Sequence, residues 1–132
     1  MGNRVVHFEI EAKDVARAKK FYTDAFGWKM EQMDAKYGDY VVVTTGDPKE
    51  AGGINGGIYT TPGKKKEVNA FRCVVAVDDI EKAAEDVEKA GGKILTKNKK
   101  ADNIPGVGLF LSCEDPEKNR FTLLQPSGDM EK

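Results

Sequence analysis

The sequence predicts an α+β fold made of two tandem β-α-β-β-β modules, residues 4–61 and 70–126, within one domain spanning residues 1–132. Two observations lead to this prediction. Each half of the chain begins with a strand-like run that is followed by an amphipathic helical segment ending at glycine. The two halves also share motifs at a nearly constant spacing, which indicates an internal repeat. A helix that covers one face of a mostly antiparallel sheet in each module defines the α+β class.

The repeat is visible in matched residues that occur in the same order in both halves. Gly27 and Gly91 each follow a helical segment, and they lie 64 positions apart (91 − 27). Pro62 and Pro126 each follow a strand-like run, and they also lie 64 positions apart (126 − 62). A short segment rich in proline, glycine and lysine, residues 62–67, is the predicted linker between the modules.

Module one is predicted to open with a strand over residues 4–11. Asp14 is a suitable N-cap for the following helix, and Gly27 is a suitable residue for ending it. The apolar stripe of that helix is predicted to include Val15, Phe21 and Tyr22. Three strands complete the module, near residues 28–33, 40–45 and 57–61.

Module two repeats the pattern, beginning with a strand over residues 71–77. Its helix is predicted to start near Asp78-Asp79 and to stop at Gly91, with Ile80 on the buried stripe. Further strands are predicted near residues 93–97, 108–112 and 120–125.

Composition limits the possible partners and compartments. The 39% hydrophobic and 33% charged content is typical of a soluble globular protein, and a net charge of −1 gives no general attraction to nucleic acid. No secretory pattern or long apolar run is present, so we expect no membrane span and a cytoplasmic protein. Cys73 and Cys113 have no metal-binding spacing and are expected to be reduced, buried and inert.

Strand alternation sorts the polar residues onto one face of the predicted sheet. His7 is the single histidine of the chain, and Glu9 follows it by two positions, so both point to the same side of the first strand. Residues 55–62 align with residues 119–126 without gaps, and this alignment pairs Ile58 with Thr122. The face opposite the helices is therefore predicted to carry His7, Glu9, Ile58, Thr60, Arg72, Thr122 and Leu124.

Four segments resemble the vicinal oxygen chelate superfamily, which includes glyoxalase I, extradiol dioxygenases, methylmalonyl-CoA epimerase and bleomycin-binding proteins. They read V-H-F-E-I, D-V-A-R-A-K-K-F-Y-T-D-A-F-G-W, I-N-G-G-I-Y and E-D-P-E-K-N-R-F-T-L-L-Q-P. The resemblance covers nearly the whole chain. It implies a cupped sheet with the helices on its outer face, and a homodimer.

Enzymes of this superfamily typically hold a divalent metal with one His or Glu from each of four strands. Carried to this sequence, the four positions are His7, Ile58, Arg72 and Thr122. His7 is the one good metal donor of the four, and a guanidinium only donates hydrogen bonds. Since a catalytic divalent site generally needs about three protein ligands, we expect no metal and no other cofactor.

The residues therefore favour a metal-independent protein that binds a small organic ligand through His7, Glu9, Ile58, Arg72 and Thr122. Arg72 would hold a carboxylate or phosphate, although a structural ion pair between Glu9 and Arg72 is an equal alternative. A metal-dependent lyase, isomerase or dioxygenase is the alternative function, and an interaction protein that has lost the pocket is a third. No catalytic residue is assigned by the sequence.

Overall fold

A computed structural model of the chain describes residues 3–34, 39–47, 49–50, 52–60 and 70–127. By its contacts the chain divides into two compact units. Residues 7–71 form one unit, and residues 72–132 together with residues 1–6 form the other. The predicted linker at residues 62–67 lies outside the described residues.

In the part that the structure describes, the unit formed by residues 7–71 contains one helix, three strands and most of a fourth, β1. In chain order these are β1 (Arg4–Glu11), α1 (Val15–Phe26), β2 (Lys29–Gln32), β3 (Tyr40–Thr44) and β4 (Asn55–Tyr59). The strands lie in the order β2-β3-β4-β1. β1 and β4 run parallel, whereas the β2–β3 and β3–β4 pairs are antiparallel.

Helix α1 begins and ends at the residues that the sequence indicated. The Asp14 side chain accepts a hydrogen bond from the Arg17 backbone N–H at 3.0 Å, which satisfies one of the free donors of the first turn. Gly27 adopts a left-handed conformation with φ 71°, and its N–H donates to the Thr23 carbonyl at 2.9 Å. Phe21, however, is 58% exposed and does not join the buried stripe predicted for this helix.

The second unit repeats the arrangement with one added strand. Its elements are β5 (Phe71–Ala76), α2 (Ile80–Lys89), β6 (Lys93–Ile94), β7 (Asp102–Ile104), β8 (Gly108–Glu114) and β9 (Arg120–Pro126). The strands lie in the order β5-β9-β8-β6. The short strand β7 also pairs with β8 but is not part of that order. β5 and β9 are parallel, and the other pairs are antiparallel.

Helix α2 is fixed at its N-terminus by two side chains. Asp79 accepts hydrogen bonds from the backbone N–H groups of Glu81 and Lys82 at 3.1 and 3.2 Å. The Gln125 side chain accepts a further bond from the Ile80 N–H at 2.9 Å and so ties the start of α2 to β9. Three N–H groups of the first turn therefore have partners.

Each unit has its own apolar core between its helix and its strands. In the unit of residues 7–71 the buried core residues are Ile10, Val15, Val41, Val43 and Ile58. In the second unit they are Val77, Ile80, Ile94, Leu111, Cys113 and Leu123. The α+β class and the repeated β-α-β-β-β order predicted from the sequence are thus confirmed, with β7 as an unforeseen addition.

The two cysteines differ in their surroundings. Cys113 is fully buried, as predicted, whereas Cys73 is exposed, so the prediction of a buried thiol is wrong for Cys73. Both are free thiols. Among the described residues, no helix is long and apolar enough to cross a membrane.

Candidate functional site

In the unit of residues 7–71, three polar side chains form a hydrogen-bonded chain. His7 and Glu9 lie two residues apart on β1, and Tyr40 begins β3. The His7 Nε2 atom is 3.1 Å from the Tyr40 hydroxyl oxygen, and that hydroxyl donates to Glu9 Oε2 at 3.0 Å. The predicted placement of His7 and Glu9 on one face of β1 is therefore correct. Tyr40, which links them, was not anticipated.

Burial determines the protonation states of His7 and Tyr40 in this hydrogen-bonded chain. Burial lowers the pKa of His7 below its ordinary value of 6.5, which favours the neutral imidazole. Burial, followed by the negative charge of Glu9 and its hydrogen bond, raises the pKa of Tyr40 well above its ordinary value of 10.0. Tyr40 thus keeps its proton at any working pH and serves as a donor to Glu9.

Gly57 on β4 makes room for Tyr40. A Cβ atom at this position would collide with the hydroxyl oxygen and ring of Tyr40. Gly57 is paired with Glu9 on β1 and with Val42 on β3, so it lies in the middle of this sheet segment. The absence of a side chain there lets the phenol lie across the strand and reach both of its partners.

Ile58 does not lie on the face that the gapless alignment predicted. It pairs with Ile10 on β1 and Val41 on β3, and all three belong to the apolar core beside α1. Ile58 is 0% exposed. Gly57, one position earlier, shares the face of His7 and Glu9, so the expected register of β4 was wrong by one residue, which reverses the face.

The second unit contains a cavity of about 410 Å³, within the size range of small-molecule sites. Arg72 and Thr122 both line it, as the sequence predicted for the face opposite the helix. The complete lining is Arg72, Leu95, Thr96, Lys97, Asp102, Ser112, Arg120, Phe121 and Thr122.

Strand pairing explains why these side chains meet. Thr122 on β9 is paired with Ser112 on β8 and with Val74 on β5. Arg72 lies two residues before Val74 and Arg120 two residues before Thr122, so all of them share one face by alternation. The opposite face of β9 and β8 carries Leu123 and Leu111, which belong to the core beside α2.

The lining of this cavity is predominantly positive. Arg72, Arg120 and Lys97 are cationic, and Asp102 is the one acidic residue among them. The hydroxyls of Thr96, Ser112 and Thr122 add further hydrogen-bonding groups, and Leu95 and Phe121 add apolar surface. Arginine forks match the geometry of carboxylates and phosphates, so the arrangement suits an organic anion. Arg120 was not among the residues predicted for this face, although it lies two residues before Thr122 on the same strand.

The positions that hold metal in enzymes of the resembled superfamily do not fit a cation here. Ile58 is buried in an apolar core, Arg72 offers only positively charged donors, and Thr122 offers one hydroxyl. Within the described part of the chain, no three His, Cys, Asp or Glu side chains gather in a way that could hold a metal ion. The Nε2 atom of His7 is instead hydrogen-bonded to the Tyr40 hydroxyl.

Comparison with known proteins gives a family match for part of the chain. Residues 4–46 match the family model described as bleomycin resistance protein-like N-terminal. No curated protein matches the chain significantly.

Several solved structures share the fold over almost the whole chain. A methylmalonyl-CoA epimerase in complex with methylmalonyl-CoA and NH4+ has a TM-score of 0.70 at 13% identity, covering 96% of each chain. The methylmalonyl-CoA epimerase of Mycobacterium tuberculosis has a TM-score of 0.67 at 14% identity, covering 96% of this chain and 90% of that one. A hypothetical protein from Bacillus halodurans C-125 has a TM-score of 0.69 at 9% identity, covering 96% of each chain.

The chain therefore has the fold of the vicinal oxygen chelate superfamily. Its N-terminal third additionally resembles bleomycin resistance proteins in sequence. The resemblance predicted from the sequence is confirmed at this level.

Proposed function

We propose that this protein binds a small organic anion in the cavity of its second unit, without a metal ion. The observation that carries the proposal is the convergence of Arg72 and Arg120 on one cavity that also presents Thr122. Charge-assisted hydrogen bonds from a guanidinium are roughly twice as strong as neutral ones. Leu95 and Phe121 would pack against the apolar part of the same ligand.

Two further considerations support an anionic ligand. A protein with the same fold was solved with methylmalonyl-CoA, which is itself an organic anion. The cavity volume of about 410 Å³ accommodates a ligand of about the size of an aryl phosphate or aryl carboxylate. His7 and Glu9 do not line this cavity and remain separately predicted ligand-binding residues, whereas Ile58 is no longer proposed because it is buried in the core.

Calorimetric titration of EDTA-treated protein with phenyl phosphate, benzoate and neutral benzyl alcohol tests this proposal. We expect one anion to bind per chain in this cavity and the alcohol not to displace it. Replacing Arg72 by Gln should weaken anion binding by about 10-fold or more, since a charge-assisted hydrogen bond contributes about 1.5–3 kcal/mol. Arg17→Gln, an exposed change on α1, is the matched control and should bind normally. Absence of binding by both anions, or equal binding by Arg72→Gln, would contradict the proposal.

The alternative function, a metal-dependent lyase, isomerase or dioxygenase, is tested separately. Metal analysis of the purified protein and a thermal-shift screen with Ni²⁺, Mn²⁺, Fe²⁺ and Zn²⁺ should show no stoichiometric metal and no shift that depends on His7. A stoichiometric metal lost in His7→Ala would favour the enzyme and overturn metal independence.

We also propose that the chain forms a homodimer in the cytoplasm, as the resemblance and the composition suggested. Support comes from three large aromatic side chains that stay exposed: Phe21 at 58%, Phe26 at 61% and Phe71 at 62%. Exposed apolar surface of this kind often marks an interaction site. Sedimentation equilibrium should give twice the chain mass, and Phe26→Ser should shift the equilibrium toward monomer. A monomer at all concentrations would contradict the dimer.

A further inference from the structure

The hydrogen-bond chain of His7, Tyr40 and Glu9 determines which ring nitrogen of His7 carries the proton. A carboxylate only accepts hydrogen bonds, and a phenol has a single hydrogen to donate. Because Tyr40 donates that hydrogen to Glu9, its oxygen is left to accept from His7. The hydrogen of the neutral imidazole must therefore lie on Nε2, and Nδ1 carries a lone pair.

The surroundings of Tyr40 keep these hydrogen bonds running in one direction, from His7 to Tyr40 and from Tyr40 to Glu9. The phenol of Tyr40 cannot give up its proton, because burial and the charge of Glu9 disfavour the phenolate. Gly57 gives the phenol its place across β4, so the ring is confined on that side by the strand itself. His7 is thereby locked in a single tautomer, as orienting partners lock imidazoles in other proteins.

His7 is only partly buried, and its Nδ1 atom does not take part in the hydrogen-bond chain. No described residue makes a hydrogen bond to this atom. Within the described part of the chain, one side-chain polar atom is sealed from solvent without a hydrogen-bond partner. That atom is Ser127 Oγ. Nδ1 is not among the atoms sealed in this way.

We propose that His7 Nδ1 is a preformed hydrogen-bond acceptor for a hydroxyl-bearing ligand, with Tyr40 and Glu9 acting as positioning residues. A partly buried lone pair without a partner favours a ligand that donates a hydrogen. The preferred class is an alcohol or phenol. A carboxylate has no hydrogen to donate and would also face the negative charge of Glu9. This acceptor does not depend on the anion cavity of the second unit.

Nitrogen-15 NMR of the imidazole tests the tautomer directly. His7 is the single histidine of the chain, so the ring signals need no assignment. Above the ordinary pKa of 6.5, the long-range proton–nitrogen correlation pattern should be that of a ring with hydrogen on Nε2. Tyr40→Phe should release this preference and give a mixture of tautomers. Tyr22→Phe, on α1, is the matched control and should leave the pattern unchanged.

The same spectra test the ligand class with phenol as the probe. Phenol should shift the Nδ1 resonance of the unaltered protein in a saturable way, and benzoate should not. In Tyr40→Phe the phenol affinity should fall several-fold while the backbone spectrum stays folded. Glu9→Gln provides a second variant of nearly unchanged shape and should also weaken the tautomer preference. Hydrogen on Nδ1 in the unaltered protein, a fixed tautomer in Tyr40→Phe, or no phenol-dependent shift would each overturn the proposal.

Discussion

Tyr40 lies across Gly57, and a Cβ atom added to that glycine would collide with the phenol oxygen. The contact joins the start of β3 to the middle of β4 and places the phenol between His7 and Glu9. Gly57 thus fixes the position of the Tyr40 phenol, which links His7 to Glu9. The same relationship explains why the strand has glycine at a position where β-branched residues would otherwise be favoured.

Replacing Gly57 by alanine should destabilise the protein by about 1–3 kcal/mol, because Tyr40 must move and lose its two hydrogen bonds. Urea denaturation measures the change. Gly46→Ala is the control: a Cβ atom there meets nothing within 4 Å, so its effect should stay within about 0.5 kcal/mol. Equal stability of the two variants would show that Tyr40 is not held as described.

The stability of the protein should depend on pH through His7. Burial lowers the pKa of His7 in the folded state below 6.5, whereas the unfolded chain keeps an ordinary value. Between these two values the unfolded state binds more protons, so stability rises with pH. The contribution of His7 to the free energy of unfolding is complete above pH 6.5 and is lost as the pH falls through the folded-state pKa of His7.

Urea midpoints measured between about pH 8 and pH 5.5 test this dependence, because His is the side chain whose ordinary pKa lies in that range. The unaltered protein should lose stability on acidification, and His7→Gln should show a flatter profile. Any contribution from the α-amino group is common to both proteins and cancels. Parallel profiles for the two proteins would contradict a lowered pKa at His7.

Removing the N-terminal cap of α2 should destabilise the protein. Asp79→Ala deletes two hydrogen bonds to the first turn and should lower the free energy of unfolding by about 0.5–2 kcal/mol. Glu85→Ala, an exposed change in the same helix, should stay within about 0.5 kcal/mol. Chemical denaturation of both variants gives the comparison. An Asp79→Ala effect no larger than that of Glu85→Ala would argue against the cap.

The two thiols should react at very different rates. Cys73 is exposed, whereas Cys113 is fully buried and burial raises the pKa of its thiol to about 11. Since the thiolate is the reactive form, iodoacetamide should modify one cysteine of the folded protein rapidly. Peptide mass spectrometry should place that adduct on Cys73, and Cys73→Ser should abolish the rapid phase. Rapid modification of Cys113 would contradict the packing of β8.

The features predicted from the sequence are those with a local cause. Asp14, Gly27 and Asp79 mark helix ends because capping depends on a few neighbouring residues, and all three act as expected. Alternation within one strand also placed His7 with Glu9 correctly.

The missed features depend on register between strands that are distant in sequence. Tyr40 meets His7 across a separation of 33 residues, which no periodicity reveals. Ile58 was placed on the wrong face because Gly56 and Gly57 give β4 no alternation signal, so the gapless alignment could shift by one residue unnoticed.

We propose that Arg72 and its neighbours bind an organic anion in the cavity of the second unit. Titration of nitrogen-15-labelled, EDTA-treated protein with phenyl phosphate, followed through the backbone amides, tests it most directly. We expect saturable shifts that centre on Arg72, Ser112 and Thr122 and that disappear in Arg72→Gln. Shifts confined to other parts of the chain, or shifts that persist in Arg72→Gln, would contradict it.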